Sequence, residues 1–156
     1  SNGVVHVIDG VLFPSWVFSS LNDRIFANED LSFFFSLLVS TNIDLSDPAA
    51  DPVTVAGPTN DAFDLLDPDV FESLTNTTEG LIELEGILLY HVFFGILTSS
   101  ILVDGPVSTL EGGLVEVSTG PPLKFNQATA VELDILANNG VLFKINQVLD
   151  PNDSPI

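Results

Sequence analysis

Cysteine is absent from this chain of 156 residues, so neither a disulfide framework nor thiolate chemistry is available to it. The compartment stays open, because an extracellular domain of this size can fold without bridges. Methionine is absent as well, position 1 included, which is read as the mark of a fragment or a processed product. Basic side chains are reduced to Arg24, Lys124 and Lys144 against 22 acids, a formal charge of −19. A nucleic-acid surface needs Lys and Arg to neutralise phosphates, so no nucleic-acid partner is expected, and anionic membranes are excluded on the same ground. No HExxH, GxSxG or phosphate-loop pattern accompanies the two histidines, so no nucleophile-and-base set is legible and no enzyme is expected. The acids do not follow the EF-hand spacing, and no cofactor or dedicated metal site is expected. No signal peptide is read. Long apolar runs are missing too: FFFSLLV (33–39) and ILLYHVFFGIL (87–97) fall short of the roughly 20 residues that span a bilayer, and read as core.

What is present is an apolar chain, 46% hydrophobic with mean hydropathy +0.42, long enough for one domain with a proper core. The acids must therefore coat a packed interior. Their mutual repulsion would be relieved by salt or divalent cations, which fits a saline or calcium-rich setting with calcium at the surface; acidity that serves solubility alone is the other reading.

One phrase occurs twice. NGVVHVIDGVLFP at 2–14 and NGVLFKINQVLDP at 139–151 share seven of thirteen positions, among them Asn2/Asn139, Gly3/Gly140, Ile8/Ile145 and Pro14/Pro151. A spacing of 137 residues is too long for a solenoid and suits equivalent elements of two successive domains.

Along the chain, Ser15–Asn28 carries apolar residues at helical spacings, and Asp30 is placed to cap a helix through Leu31, Phe34 and Leu38 ending near Asn42. IDLSDPAADP (43–52) reads as an exposed loop. A short β-like run broken at Gly57-Pro58 leads to Thr59 as an N-cap, with Asp61 in the following turn. Asp67-Pro68 starts another helix, and Thr77 or Thr78 a third with Leu81, Leu84 and Leu88 as its stripe. Beyond Val92 the pattern is strands: two around Gly112-Gly113, then LKFN, ATAVELDIL and GVLFKINQVL, with Asn139-Gly140 the strongest hairpin signal. Helices first and antiparallel strands afterwards predict an α+β domain, its helices packed on an antiparallel β-sandwich or wedge.

Four segments in this order resemble the fasciclin-I (FAS1) family across nearly the whole chain. VTVAGPTNDAF (53–63) is similar to its first signature, LLYHVFFGILTSSIL (88–102) to its Tyr-His segment with a Gly and a short Thr/Ser-capped helix, LEGGLVEV (110–117) to its LxGxxVxV hairpin, and the 134–151 stretch to its second signature, NGVIHVIDxVLxP. Residues 2–14 match that second signature better than 139–151 do. The resemblance implies that 1–14 is the last strand of a preceding FAS1 domain, 15–29 a linker or start of the first helix, 30–151 the FAS1 domain and 152–156 a linker in a tandem protein. Two departures stand out: Ala56 and Gly57 replace Phe and Ala of the first signature, and Phe143-Lys144 replace His-Val of the second.

The family likeness also implies the candidate sites. Tyr90 and His91 correspond to a pair proposed to support adhesion and receptor binding; the alternative is a hydrogen-bonded core histidine that orients the helix-to-strand turn. Glu132, Asp134, Ile135 and Leu136 align with an integrin-recognition segment, with Leu133 in place of its Pro. There an exposed Asp would complete a partner's metal sphere, or else Val131 and Ile135 face the core of a half-buried strand while Asp134 caps a turn. Asn76-Thr77-Thr78 is a glycosylation sequon and Asn152-Asp153-Ser154 a poorer one. The implied function is an extracellular or cell-surface adhesion module, meeting a cell-surface receptor, a matrix protein or a polysaccharide by weak multivalent contacts, with self-association through residues 1–14 as a further expectation. A spacer that binds nothing is the competing reading.

Overall fold

Two chemical needs shape the start of the domain: the free N–H groups of a helix must find acceptors, and its apolar stripe must find a partner. In the computed structural model, which describes residues 19–46 and 51–150, Ser20 and Asp23 meet the first need as a capping box for α1 (Leu21–Phe26). Leu21 and Ile25 meet the second and are fully buried in the core. A 3₁₀ turn (Glu29–Leu31) leads into α2 (Ser32–Ser40). Asp30 does not cap it. Asn60 does so from a distance, accepting from the Phe33 N–H at 3.0 Å and donating to the Glu29 carbonyl at 3.0 Å. Asp30 turns instead to Lys144.

After α2, which closes at Thr41 with Asn42 in the left-handed region, the chain does not run wholly exposed as expected: Leu45 is buried. β1 (Val53–Pro58) continues through Gly57 and ends where proline removes the next ladder donor. α3 (Asn60–Asp64), α4 (Pro68–Asn76) and α5 (Thr78–Tyr90) follow. Thr59 occupies the N-cap of α3 without a side-chain bond, its N–H going to the Ile145 carbonyl; Asp67 and Thr77 cap the next two helices through their side chains. Gly80 lets α4 and α5 approach, since a Cβ there would stand 2.2 Å from the Ser73 carbonyl oxygen.

The strands β2 (Val92–Phe94), β3 (Gly105–Ser108), β4 (Leu114–Ser118), β5 (Lys124–Phe125), β6 (Ala128–Ala137) and β7 (Gly140–Ile145) join β1 in one sheet of order β2-β1-β7-β6-β5-β4-β3. A bridge between Phe93 and Thr109 brings its two edges together. The α+β class is as expected, but the sheet is mixed. β1 lies among the helices in sequence and pairs in parallel with β7, from Val53↔Gly140 to Pro58↔Ile145. The Thr98–Leu102 stretch, where the family likeness implies a short helix, is a turn closed by Thr98. The hairpin loop is Asn138–Asn139, and Gly140 already belongs to β7.

Alternation along β7 divides the interior. Leu142 faces the helices with Phe34, Leu38, Val55, Leu84 and Leu88, whereas Val141, Phe143 and Ile145 face the inside of the curled sheet with Tyr90, Phe93, Val115 and Phe125. The two departures from the signatures meet here. Ala56 and Phe143 are direct partners across β1 and β7, so the ring missing at 56 is supplied at 143, where it packs 5.5 Å from Phe125. No described helix is long and apolar enough to cross a membrane.

Two glycines give opposite expectations. A Cβ at Gly140 would lie 1.9 Å from the Val53 carbonyl oxygen and 2.9 Å from a Leu21 methyl, so Gly140→Ala should cost more than about 3 kcal/mol or abolish folding. At Gly86, inside α5, a Cβ meets nothing within 4 Å, and Gly86→Ala should stabilise by roughly 0.5–1 kcal/mol. Urea unfolding of both variants checks this, and equal effects would contradict it.

Candidate functional site

Tyr90 and His91 sit where α5 ends and β2 begins, and neither has exposed surface. The Tyr90 hydroxyl donates to the Leu114 carbonyl at 2.6 Å and accepts from Asn126 Nδ2 at 3.3 Å, tying α5 to β4. The double glycine of the β3–β4 hairpin makes room for it: a Cβ at Gly113 would come within 2.9 Å of the Tyr90 ring. Beside it, the Leu149 N–H donates to His91 Nε2 at 2.9 Å. Nε2 must then be unprotonated, so Nδ1 carries the hydrogen and donates to the Ile87 carbonyl at 2.7 Å. The backbone joins in, the His91 carbonyl accepting from Ala56 at 2.9 Å. Burial pushes the imidazole pKa down from 6.5 to about 4, and the bond to Ile87 opposes this only in part.

As adhesion contacts the two residues are therefore relocated. A partner at the surface cannot touch either ring, and any part they play in binding runs through the fold they hold. Both ring nitrogens of His91 are engaged by backbone groups, and the described residues contain no group of three or more His, Asp or Glu able to hold a metal.

The second candidate segment lies on β6, whose pairing with β7 is interrupted between Ala130 and Glu132 and again between Glu132 and Ile135. Asp134 sits at the second irregularity with φ +53°. Its carboxylate accepts from the Ser99 N–H at 2.7 Å and from the Ser99 hydroxyl, so it caps the Thr98 turn. Glu132 pairs with Lys144 at 2.8 Å, and Asp30 approaches the same ammonium at 3.4 Å. Burial pulls Lys144 down, but the two carboxylates outweigh it and the net shift is upward. Ile135 and Leu136 are half-buried against the two cores.

The exposed apolar side chains of this strand are Val131 (57%) and Leu133 (43%), so of the pair Val131 and Ile135 expected to face the core only Ile135 does. Strict alternation puts residues 131, 133 and 135 on one face. The bulge with its left-handed Asp134 breaks that parity, turning Ile135 inward while Val131 and Leu133 stay out. These two border a shallow recess of about 400 Å³ shared with Pro121 and Pro122. The 99–104 strap, fixed by Ser99 to Asp134 and by Asp104 to Thr119, adds exposed Ile101 and Val103. Asn76 is exposed at the end of α4, its amide 3.4 Å from Glu72. Residues 1–14 and the 152–154 sequon lie outside the described residues.

A curled mixed sheet carrying a buried Tyr-His joint has a match among known proteins: the Fasciclin domain sequence model covers residues 29–151. The chain belongs to the Fasciclin domain family. It is 34% identical to human periostin over 157 aligned positions, covering 99% of this chain and 18% of periostin. To protein sll1483 of the cyanobacterium Synechocystis sp. it is 36% identical over 126 residues, 80% of this chain and 69% of that protein. The rabbit (Oryctolagus cuniculus) transforming growth factor-beta-induced protein ig-h3 is 37% identical over 105 residues, 63% of this chain and 14% of that protein. The chain thus spans under a fifth of the length of periostin. Among solved structures, the FAS1 domain pair of the insect cell adhesion molecule fasciclin I superposes with a TM-score of 0.73 at 14% identity, over 88% of this chain and 53% of that one. The shared fold is that of a Fasciclin domain.

The buried imidazole sets a pH dependence. Unfolded, it protonates near pH 6.5; folded, near 4. Stability held by neutral His91 is therefore whole above about pH 6.5, is lost as pH falls towards about 4, and levels off below, a window of about 3 kcal/mol. The stability difference between the wild-type chain and His91→Gln should shrink by that order across this range. Urea titrations of both proteins at each pH measure it, and a constant difference would show that His91 is not what titrates.

Proposed function

We propose that this Fasciclin domain is an extracellular or cell-surface adhesion module that meets a receptor, matrix protein or polysaccharide through the apolar face around Val131 and Leu133. The observation that carries the reading is this outward apolar face on the bulged strand β6, in a family one of whose solved members is an insect cell adhesion molecule. Exposed apolar side chains cost solubility, and a chain of charge −19 that keeps them grouped beside Pro121 and Pro122 fits a binding surface. Each domain would bind weakly, with several domains in one protein raising the avidity. Calcium acts here as a diffuse screen of the acids that lets two acidic surfaces approach. The exposed Asn76, at the α4–α5 junction, would carry an N-glycan in a secretory pathway that adds them. The second reading, a spacer that binds nothing, predicts the opposite in the same assay.

Beads coated with the domain should attach to matrix-coated surfaces, more strongly with calcium than without and more strongly still with tandem domains. Leu133→Asp, at an exposed position that leaves folding intact by circular dichroism, should weaken attachment by ~30-fold, as loss of a central apolar anchor does. Attachment unaffected by this change would remove the β6 face from the proposal, and no attachment at all would leave the spacer.

A further inference from the structure

A second apolar surface lies among the helices and plays no part in the adhesion reading. Phe33, Phe63 and Phe71, from α2, α3 and α4, form a ring cluster with centroids 5.4–6.3 Å apart. Two clefts open on it, one of about 300 Å³ between α2, α3 and α4 and one of about 120 Å³ running on to α5 and the Val148–Asp150 segment. They share Phe63, Leu66 and Phe71, so they form one trough, whose wall includes the half-exposed Val70. His91, bonded to Leu149, stands behind its floor.

The rim has a single sign of charge. Asp64 borders one cleft, Glu83 and Asp150 the other, and exposed Asp67 and Asp69 open α4 alongside, while none of Arg24, Lys124 and Lys144 borders either cleft. The walls are helices and the irregular Val148–Asp150 segment, none of them a strand, so no strand edge offers ladder hydrogen bonds to an extended peptide. An apolar floor with an acidic rim and no backbone pairing fits an amphipathic helix whose apolar ridge is flanked by Lys or Arg. An anionic lipid surface would be repelled by the same rim.

We propose that this trough is a docking site for a basic amphipathic helix of a partner protein, distinct from the β6 face and independent of the adhesion reading. The ridge residues at i, i+3 or i+4, and i+7 of the helix would fill the two clefts, and its cations would lie against Asp64 and Glu83.

The test uses the whole chain and a synthetic 18-residue peptide with leucines at helical spacing and lysines flanking them. Its controls are a scrambled peptide of the same composition and an acidic peptide with Glu in place of Lys. Calorimetry should show binding of the first peptide at least ~10-fold tighter than the scrambled one, and none of the acidic one. Equal binding of the scrambled peptide would reduce the effect to attraction by net charge and overturn the proposal. No binding of the first peptide would overturn it too, including the case in which another part of the chain already fills the trough. Val70→Lys and, separately, Glu83→Lys should each weaken binding by ~10-fold or more with circular dichroism unchanged, whereas Leu133→Asp, outside the trough, should leave it unchanged. Peptide binding insensitive to both trough variants would place the site elsewhere and overturn the assignment.

Discussion

The absence of a side chain at residue 140 fixes the relation between the two halves of this domain. With the Val53 carbonyl oxygen 1.9 Å from where a Cβ would stand, β1 can lie against β7 only because the strand opens on glycine. The residue before it completes the joint. Asn139 is buried, yet its amide is satisfied on both sides, accepting from the Leu21 N–H at 2.8 Å and donating to the Leu45 carbonyl at 2.7 Å. One hairpin thus holds the start of α1, the loop after α2 and the parallel pairing of β1. A buried polar side chain is tolerable at such a point because each of its hydrogen-bonding groups has a partner. The six residues of β7 are all buried, and their alternation gives each core its share.

His91 continues that logic at the other end of the same strand. Its ring accepts from Leu149, just beyond β7, and donates back to Ile87 in α5, while its carbonyl holds β1. A neutral imidazole is well suited to this, offering one donor and one acceptor on opposite sides of a rigid ring. Protonation would set a donor on Nε2 against the Leu149 N–H, which explains in structural terms why the charged form is disfavoured beyond the cost of burying it.

Much of this was legible because local chemistry and tertiary position agree. Asp67-Pro68, Thr77 and the Leu84–Leu88 stripe mark helices that packing does not override, and the glycines at 112 and 113 mark a real hairpin. What was not legible depended on partners remote in sequence. Nothing near Asp30 says that Asn60 will cap α2 in its place, nor that Lys144 will claim the carboxylate. The parallel pairing of β1 with β7 leaves no local trace, and the outward turn of Val131, expected to face the core beside Ile135, goes with breaks in the β6–β7 pairing that alternation cannot foresee. The family likeness located the Tyr-His pair, but it took the packing around both rings to show them sealed from solvent.

That sealing bears on how loss of adhesion at such a pair is to be understood. Tyr90 anchors β4 through the Leu114 carbonyl and His91 anchors the Val148–Asp150 segment through Leu149. Removing either ring leaves a cavity and an unmet backbone group, and the elements it held are free to shift. The surfaces those elements build would then change without any partner having touched the missing side chain. A buried residue can thus be indispensable to a surface while contributing no contact there, whereas exposed side chains such as Leu133 and Val131 can be replaced with the interior left as it was. Comparing substitutions at the joint with substitutions at the surface is what separates the two kinds of dependence.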